Sequence, residues 1–305
     1  MPAESGVVNT PAIDGKLVAR LLDAQFPQWA HLPLRLLDPA GSDHVIYRLG
    51  ETMSVRLPRG DWAAGQARKE ETWLPRLAPR LPLAVPLPLG LGTPGFGYPW
   101  HWSVARWLDG STPTLDAPVD TLDAALRLAD FLWALQRLAP AGELAPGPHD
   151  DLAGTSLHER DHGTRAAIKD VAADFDGPAL IAVWEEALGA PAWDRPPVWF
   201  HGDLHPGNLL AVDGRVSAVI DFGGLGMGDP ACDLVIAWTL LTAETRAAFR
   251  TALRIDDATW ARGRGWALTT GLNAYAHYAA TNPRVARNTR HQITQVLTGS
   301  APYSP

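Results

Sequence analysis

His201-Gly202-Asp203-Leu204-His205-Pro206-Gly207-Asn208-Leu209-Leu210, then Ala211-Val212, a break at Asp213-Gly214, and Arg215-Val216-Ser217-Ala218-Val219-Ile220-Asp221-Phe222-Gly223 decide how this chain reads. Two apolar runs joined by Asp-Gly predict a β-hairpin. Such a hairpin sets residue 208, at its start, beside residue 221, at its end. Asp203, which reads as buried, lies five positions before Asn208.

Those three side chains suit magnesium-dependent phosphoryl transfer. That chemistry needs one carboxylate to orient a hydroxyl nucleophile, and hard oxygen ligands to hold metal against a triphosphate. Asp203 fits the first role, and Asn208 with Asp221 the second. The order Asp, four residues, Asn, then a strand ending Asp-Phe-Gly follows the catalytic and metal loops of protein kinases, with His-Gly-Asp in place of His-Arg-Asp. A competing reading takes His201, Asp203, His205 and Asp221 as ligands of a hydrolytic zinc site. It wants a further His or a Glu base nearby, and the HExxH pattern is absent.

The stretch His201 to Leu210, with Ile220-Asp221-Phe222-Gly223 and Gly228-Asp229-Pro230-Ala231-Cys232-Asp233-Leu234, resembles the aminoglycoside phosphotransferase family, which includes macrolide phosphotransferases and choline kinases. The resemblance implies an α+β, two-lobed protein-kinase-like fold. Residues 1–108 would form a small antiparallel-sheet lobe that binds nucleotide and ends in a hinge. Residues 109–305 would form a larger, mainly helical lobe with the catalytic and metal loops and the acceptor site. It also implies ATP or GTP with Mg2+, Asp203 as catalytic base, and Asn208 and Asp221 as metal ligands. Asp229 and Asp233 read as caps or orienters of the catalytic loop.

Further assignments follow from the same likeness. Gly41-Ser42-Asp43-His44 corresponds to the loop closing on the phosphates, with Ser42 as a contact, although Gly-Ser-Asp is also a common turn. Family members often have Asn at the position of His44, and they commonly end the third strand with a phosphate-binding Lys where this chain has Arg56. Arginine can bridge phosphate oxygens with two donors and is always charged, but it is bulkier than lysine. Glu70, on the next helix, stands where the ion-pair partner of that cation belongs. The backbone of Arg106 and Leu108 would meet the adenine.

Composition narrows the field. The single cysteine, Cys232, can form no internal disulfide. No apolar run reaches the length of a membrane span, and Met1-Pro2-Ala3-Glu4-Ser5 lacks a signal-peptide pattern, so a soluble, cytoplasmic protein without a membrane partner is expected. Residues 1–110 carry a net charge of +1 and residues 111–305 a net −8. An acidic acceptor-binding half favours a cationic small-molecule hydroxyl acceptor and disfavours nucleic acid, which needs a basic face. A monomer or homodimer is expected.

Outside the motif, helices are predicted over Ala12 to Gln25, Trp62 to Leu77, residues 155–190, Asp229 to Leu241, Ala243 to Leu253, Asp256 to Ala280 and Pro283 to Leu297. Leu122, Leu126, Ala129 and Trp133, widened by Leu132 and Leu135, predict the apolar face of another. Strands are predicted at Leu32 to Leu37, Val45 to Leu49, Met53 to Leu57 and Trp102 to Leu108, with a proline-rich loop leading to an edge strand near Pro88. Gly90 to Gly95 matches GxGxxG but opens no helix and contains proline, so it carries no weight. Asp150, Asp151, Glu159 and Asp161 could meet amino groups or form a solvated face. Trp260, Trp266, Tyr275 and Tyr278 could stack on an acceptor or belong to the core. Three function classes stay open: an antibiotic kinase, a metabolic kinase for choline-, homoserine- or sugar-like acceptors, and a kinase-like binding protein without catalysis.

Overall fold

The computed structural model describes residues 12–37, 41, 43–119, 121–139 and 156–298. The chain divides into two compact units, residues 1–79 with 85–108 and residues 80–84 with 109–305.

The first unit is a helix on an antiparallel sheet. Asp14 caps α1 (Gly15–Gln25), its carboxylate accepting the Leu17 N–H at 2.8 Å. Leu17, Val18, Leu21 and Leu22 then fall on one face at helical spacing and are all buried. They pack on Val45, Tyr47, Leu49, Val55, Leu57, Trp102 and Val104. The strands are β1 (Leu34–Leu36), β2 (His44–Leu49), β3 (Met53–Pro58), β4 (Pro88–Gly92) and β5 (Trp102–Arg106), in the order β1-β2-β3-β5-β4. β3 is therefore central and buried along its whole length. β4, with its proline and a register shift between Pro88 and Gly90, takes an edge, where a missing N–H does least harm.

One helix of this unit starts later than its sequence predicts. Asp61–Ala63 form a 3-10 turn, and α2 (Gln66–Leu77) begins only after Gly65. Trp62 is left exposed, and of this turn only the small Ala63 is buried.

The second unit is mainly helical around two short strand pairs. β6 (Val198–Phe200) pairs with β9 (Gly226–Gly228), and β7 (Leu209–Val212) pairs with β8 (Arg215–Val219). Asp213 and Gly214, at φ 50° and 75°, both occupy the left-handed region that a two-residue hairpin turn demands. Each edge of this hairpin gains a partner: Ser111 exchanges two backbone bonds with Ala211, and Ala84 does so with Ser217 and Val219.

The helices are α3 (Thr121–Gln136), α4 (Asp161–Asp170), α5 (Gly177–Gly189), α6 (Ile236–Thr239), α7 (Ala243–Leu253), α8 (Asp257–Tyr278) and α9 (Pro283–Thr298). The predicted run over 155–190 breaks at 171–176, where Asp176 caps α5 and Pro178 fits its first turn. The run from Asp229 is a 3-10 helix to Val235 before α6. On α3 the expected face is met in part: Ala129, Leu132 and Leu135 are buried as expected, but Leu122 and Leu126 are 50% and 44% exposed, and Ala124, Ala125, Leu128 and Phe131 are buried beside the others. Trp266 and Tyr275 belong to the core, Trp260 lies half-buried against Trp238, and Tyr278 is exposed. Asp150 and Asp151 lie outside the described residues, and Asp161 is tied to Arg165 at 2.6 Å and the Trp184 indole at 2.7 Å.

Candidate active site

The loop from His201 to Asn208 is held from below by a carboxylate. Asp233, fully buried, accepts the backbone N–H of His201 and of Gly202, each at 2.8 Å, one on each oxygen. Burial pushes the Asp233 carboxyl above its ordinary range, against the pull of His201 and those two N–H groups. Its neighbour Asp229 caps Ala231 at 3.0 Å and takes two donors of Arg262 on α8, at 2.6 and 3.2 Å, which fixes the 3-10 segment to the longest helix.

His201 ties this loop to the end of the hairpin. Its Nδ1 accepts the Asp203 N–H at 3.2 Å, so the proton sits on Nε2, which donates to the Ile220 carbonyl at 3.0 Å. The ring also packs on Phe222, 4.6 Å between centroids. Both ring nitrogens are thus engaged by backbone, which suits a brace and not a proton carrier. The Gly223-Gly224 turn closes tightly here, since a Cβ at Gly224 would lie 3.0 Å from the His201 carbonyl oxygen.

Asp203 and Asn208 meet directly. The Asn208 amide donates to the Asp203 main-chain carbonyl at 2.8 Å and to Asp203 Oδ2 at 3.0 Å. Ile220 N–H donates to the Asn208 carbonyl at 2.9 Å, so Asp221 follows within one residue of Asn208 along the ladder. Asp221 sits at φ 65°, a left-handed conformation that costs a non-glycine residue energy and that clusters at functional sites.

One expectation fails: Asp203 is not buried, its side chain being 50% exposed. The bend at Gly202, φ 88°, turns it outward while Asn208 stays 7% exposed. Desolvation works to raise the Asp203 carboxyl, but His205, His201 and the Asn208 amide outweigh it and hold it down at about 2. Water at the exposed side screens part of that effect. His205 lies 3.6 Å away from Asp203 Oδ2; desolvation pulls its ring down, and Asp203 with Asp221 lifts it to a net rise.

The donor set is that of a hard cation. With its NH2 on Asp203, Asn208 has its Oδ1 to offer, and Asp221 brings carboxylate oxygens, which fits magnesium completed by water and phosphate. Zinc hydrolysis loses ground, because His201 is fully engaged and no group of three or more His, Cys, Asp or Glu side chains placed to hold a metal occurs among the described residues.

In the first unit, Arg56 on β3 and Glu70 on α2 form a buried ion pair, with the Arg56 Nη1 2.8 and 2.6 Å from the two Glu70 oxygens. Arg106 ends β5 and gives its N–H to the Leu87 carbonyl at 2.8 Å, and Leu108 follows, half-buried. Ser42 lies outside the described residues. Next to it, Asp43 accepts the Gln66 amide at 2.8 Å, a contact that the sequence gives no sign of. The position of His205 beside Asp203 was open to reading, since it lies only two residues on.

A helix-braced sheet in one unit, with a buried cation–carboxylate pair, and an Asp-Asn-Asp hairpin loop in the other define a kinase-like fold. The model of the phosphotransferase enzyme family matches residues 35–266. The chain belongs to that family, and its fold is α+β, two-lobed and protein-kinase-like. Among solved structures it is similar to the GDP and kanamycin complex of APH(2")-IIia, at TM-score 0.71 and 19% identity over 92% of this chain and 98% of that one. It is also similar to the apoenzyme of macrolide 2'-phosphotransferase MphH from Brachybacterium faecium, at TM-score 0.58 and 21% identity over 95% and 99%. A third likeness is the streptomycin-ATP ternary complex of APH(2")-IIa, at TM-score 0.58 and 16% identity over 93% and 97%. No curated protein matches the sequence. Among the described residues, no helix is long and apolar enough to cross a membrane.

Proposed function

We propose that this phosphotransferase moves the γ-phosphoryl group of ATP or GTP, with Mg2+, to a hydroxyl of a small molecule, most consistently an antibiotic of aminoglycoside or macrolide type, in the cytoplasm. The observation that carries the reading is the Asn208 amide on Asp203 Oδ2, with Asp221 one residue beyond the partner of the Asn208 carbonyl. Solved relatives with related folds were captured with kanamycin and GDP or with streptomycin and ATP.

Asp203, kept ionised, accepts a hydrogen bond from the acceptor hydroxyl and orients it. Asn208 Oδ1 and the Asp221 carboxylate would hold the metal, which would supply neutralisation of the phosphate charge. Arg56, steadied by Glu70, binds phosphate oxygens, and Ser42 adds a contact from its loop. The Arg106 carbonyl and the Leu108 backbone recognise the base; the Arg106 N–H is committed to Leu87. Nucleotide binding is thereby assigned to residues 1–108 and transfer to 109–305. A net charge of −8 on residues 111–305 favours a cationic acceptor.

A coupled ADP- or GDP-release screen of aminoglycosides, macrolides and choline- or sugar-like metabolites tests the reading. Antibiotic turnover supports it, metabolite turnover moves the substrate class, and nucleotide binding without any turnover rejects it. Asp203→Ala should cut kcat by about a thousandfold or more, as loss of a group acting at the reacting atoms does, with nucleotide affinity within about twofold. Equal loss of binding and turnover would make Asp203 structural.

A further inference from the structure

Resting on the phosphotransfer reading above, we propose that His205 is a positioning residue that, with Asn208, holds Oδ2 of Asp203 and thereby turns Oδ1 to the acceptor hydroxyl. Three observations converge on it.

The imidazole is oriented from its far side. Nδ1 accepts the Gly207 N–H at 3.0 Å, which places the ring proton on Nε2. Nε2 in turn lies 3.6 Å from Asp203 Oδ2, the same oxygen that takes the Asn208 amide at 3.0 Å. Because Nδ1 is an acceptor here, the ring presents an N–H to the carboxylate without needing to be charged. At 3.6 Å the contact is beyond hydrogen-bond length, and such contacts shorten when a site is loaded. A carboxylate held at one oxygen by the Asn208 amide, with the His205 N–H closing on that same oxygen, has its other oxygen defined in direction, which is what orienting a nucleophile requires.

Position 207 is shaped around the ring. A Cβ at Gly207 would stand 2.6 Å from His205 Cε1 and 3.0 Å from Nδ1, so any side chain there displaces the imidazole. Gly207 thus supplies both the N–H that aims His205 and the space that admits it.

The imidazole also caps the short helix Pro206–Asn208, and two substitutions separate capping from positioning. His205→Asn keeps an acceptor near Nδ1 for the Gly207 N–H and loses the donor toward Asp203. His205→Gln reaches with an NH2 toward the Nε2 position and loses the cap. Single-turnover transfer of the γ-phosphoryl from Mg-GTP and Mg-ATP, to water and to kanamycin, is measured for each, with nucleotide affinity by calorimetry. His205→Ala should slow transfer about 10- to 100-fold with nucleotide Kd within about twofold, His205→Gln should recover most of the loss and His205→Asn little. Gly207→Ala should resemble His205→Ala. Recovery by Asn instead of Gln, or wild-type rates in His205→Ala, overturns the proposal. If wild-type protein transfers no faster than Asp203→Ala to water, kanamycin and every acceptor of the release screen, the phosphotransfer reading itself fails. The contact is then read by nitrogen-15 spectra of the His205 ring: an Nε2–H signal that moves in Asp203→Asn supports the contact, and one that stays refutes it.

Discussion

At the scale of the residue, Asp233 shows how a fully buried side chain shapes the loop that carries Asp203. It satisfies two backbone donors that burial would otherwise leave bare. Asp233→Ala should cost about 3 kcal/mol, given about 1–3 kcal/mol for each buried group left without a partner. Urea unfolding checks this, and a cost below about 1 kcal/mol would mean that water replaces the carboxylate. That Asp203, Asn208 and Asp221 come near one another was legible in the sequence, because a fixed spacing across a hairpin brings them together whatever surrounds it. Their exposure was not: whether Asp203 faces in or out depends on one backbone bend at Gly202. The Gln66 amide on Asp43, 23 residues apart, was equally hidden, since its spacing follows from tertiary packing alone.

At the scale of the element, α3 shows where periodicity stops deciding. Its sequence is apolar around more than half of its circumference, so two overlapping stripes fit, and only the neighbours select the buried one. Leu128→Ala should therefore cost about 2–5 kcal/mol and Leu122→Ala under about 0.5 kcal/mol in chemical denaturation. Similar values would restore the face expected from sequence. A helix start marked by a capping side chain was easier to read, because capping is local. Asp256 caps α8 through the Thr259 N–H at 2.7 Å and pairs with Arg195. Partial burial works against its ionisation, but the Thr259 donors and Arg195 hold its carboxyl below the ordinary value. A depressed native value means a contribution that is present above the ordinary carboxyl range near pH 4 and lost as pH falls through it. Asp256→Asn should then flatten the acid side of the stability profile below about pH 4. Parallel acid limbs in the two proteins would remove Asp256 from that role.

At the scale of the whole molecule, class and reaction were legible from about twenty residues, while the course of the chain between the units was not. Residues 80–84 group with the second unit although both flanking segments belong to the first. Nothing in Leu81 to Ala84 marks this, because the tie is two backbone bonds from Ala84 to β8, which any residue but proline can form. Ala84→Pro should remove the N–H that reaches the Ser217 carbonyl and lower the melting temperature, by about 1 kcal/mol or more of lost stability. An unchanged melt would make the edge pairing incidental. The chain therefore passes from one unit to the other three times, not once. A chimera spliced at residue 108 would inherit the β7–β8 hairpin from one parent and the segment that bridges to β8 from the other. Exchange of the second unit within this family by a single crossover is thus constrained by a pentapeptide that lies outside it in sequence, and recombinants that carry residues 80–84 along with 109–305 are the ones that should fold.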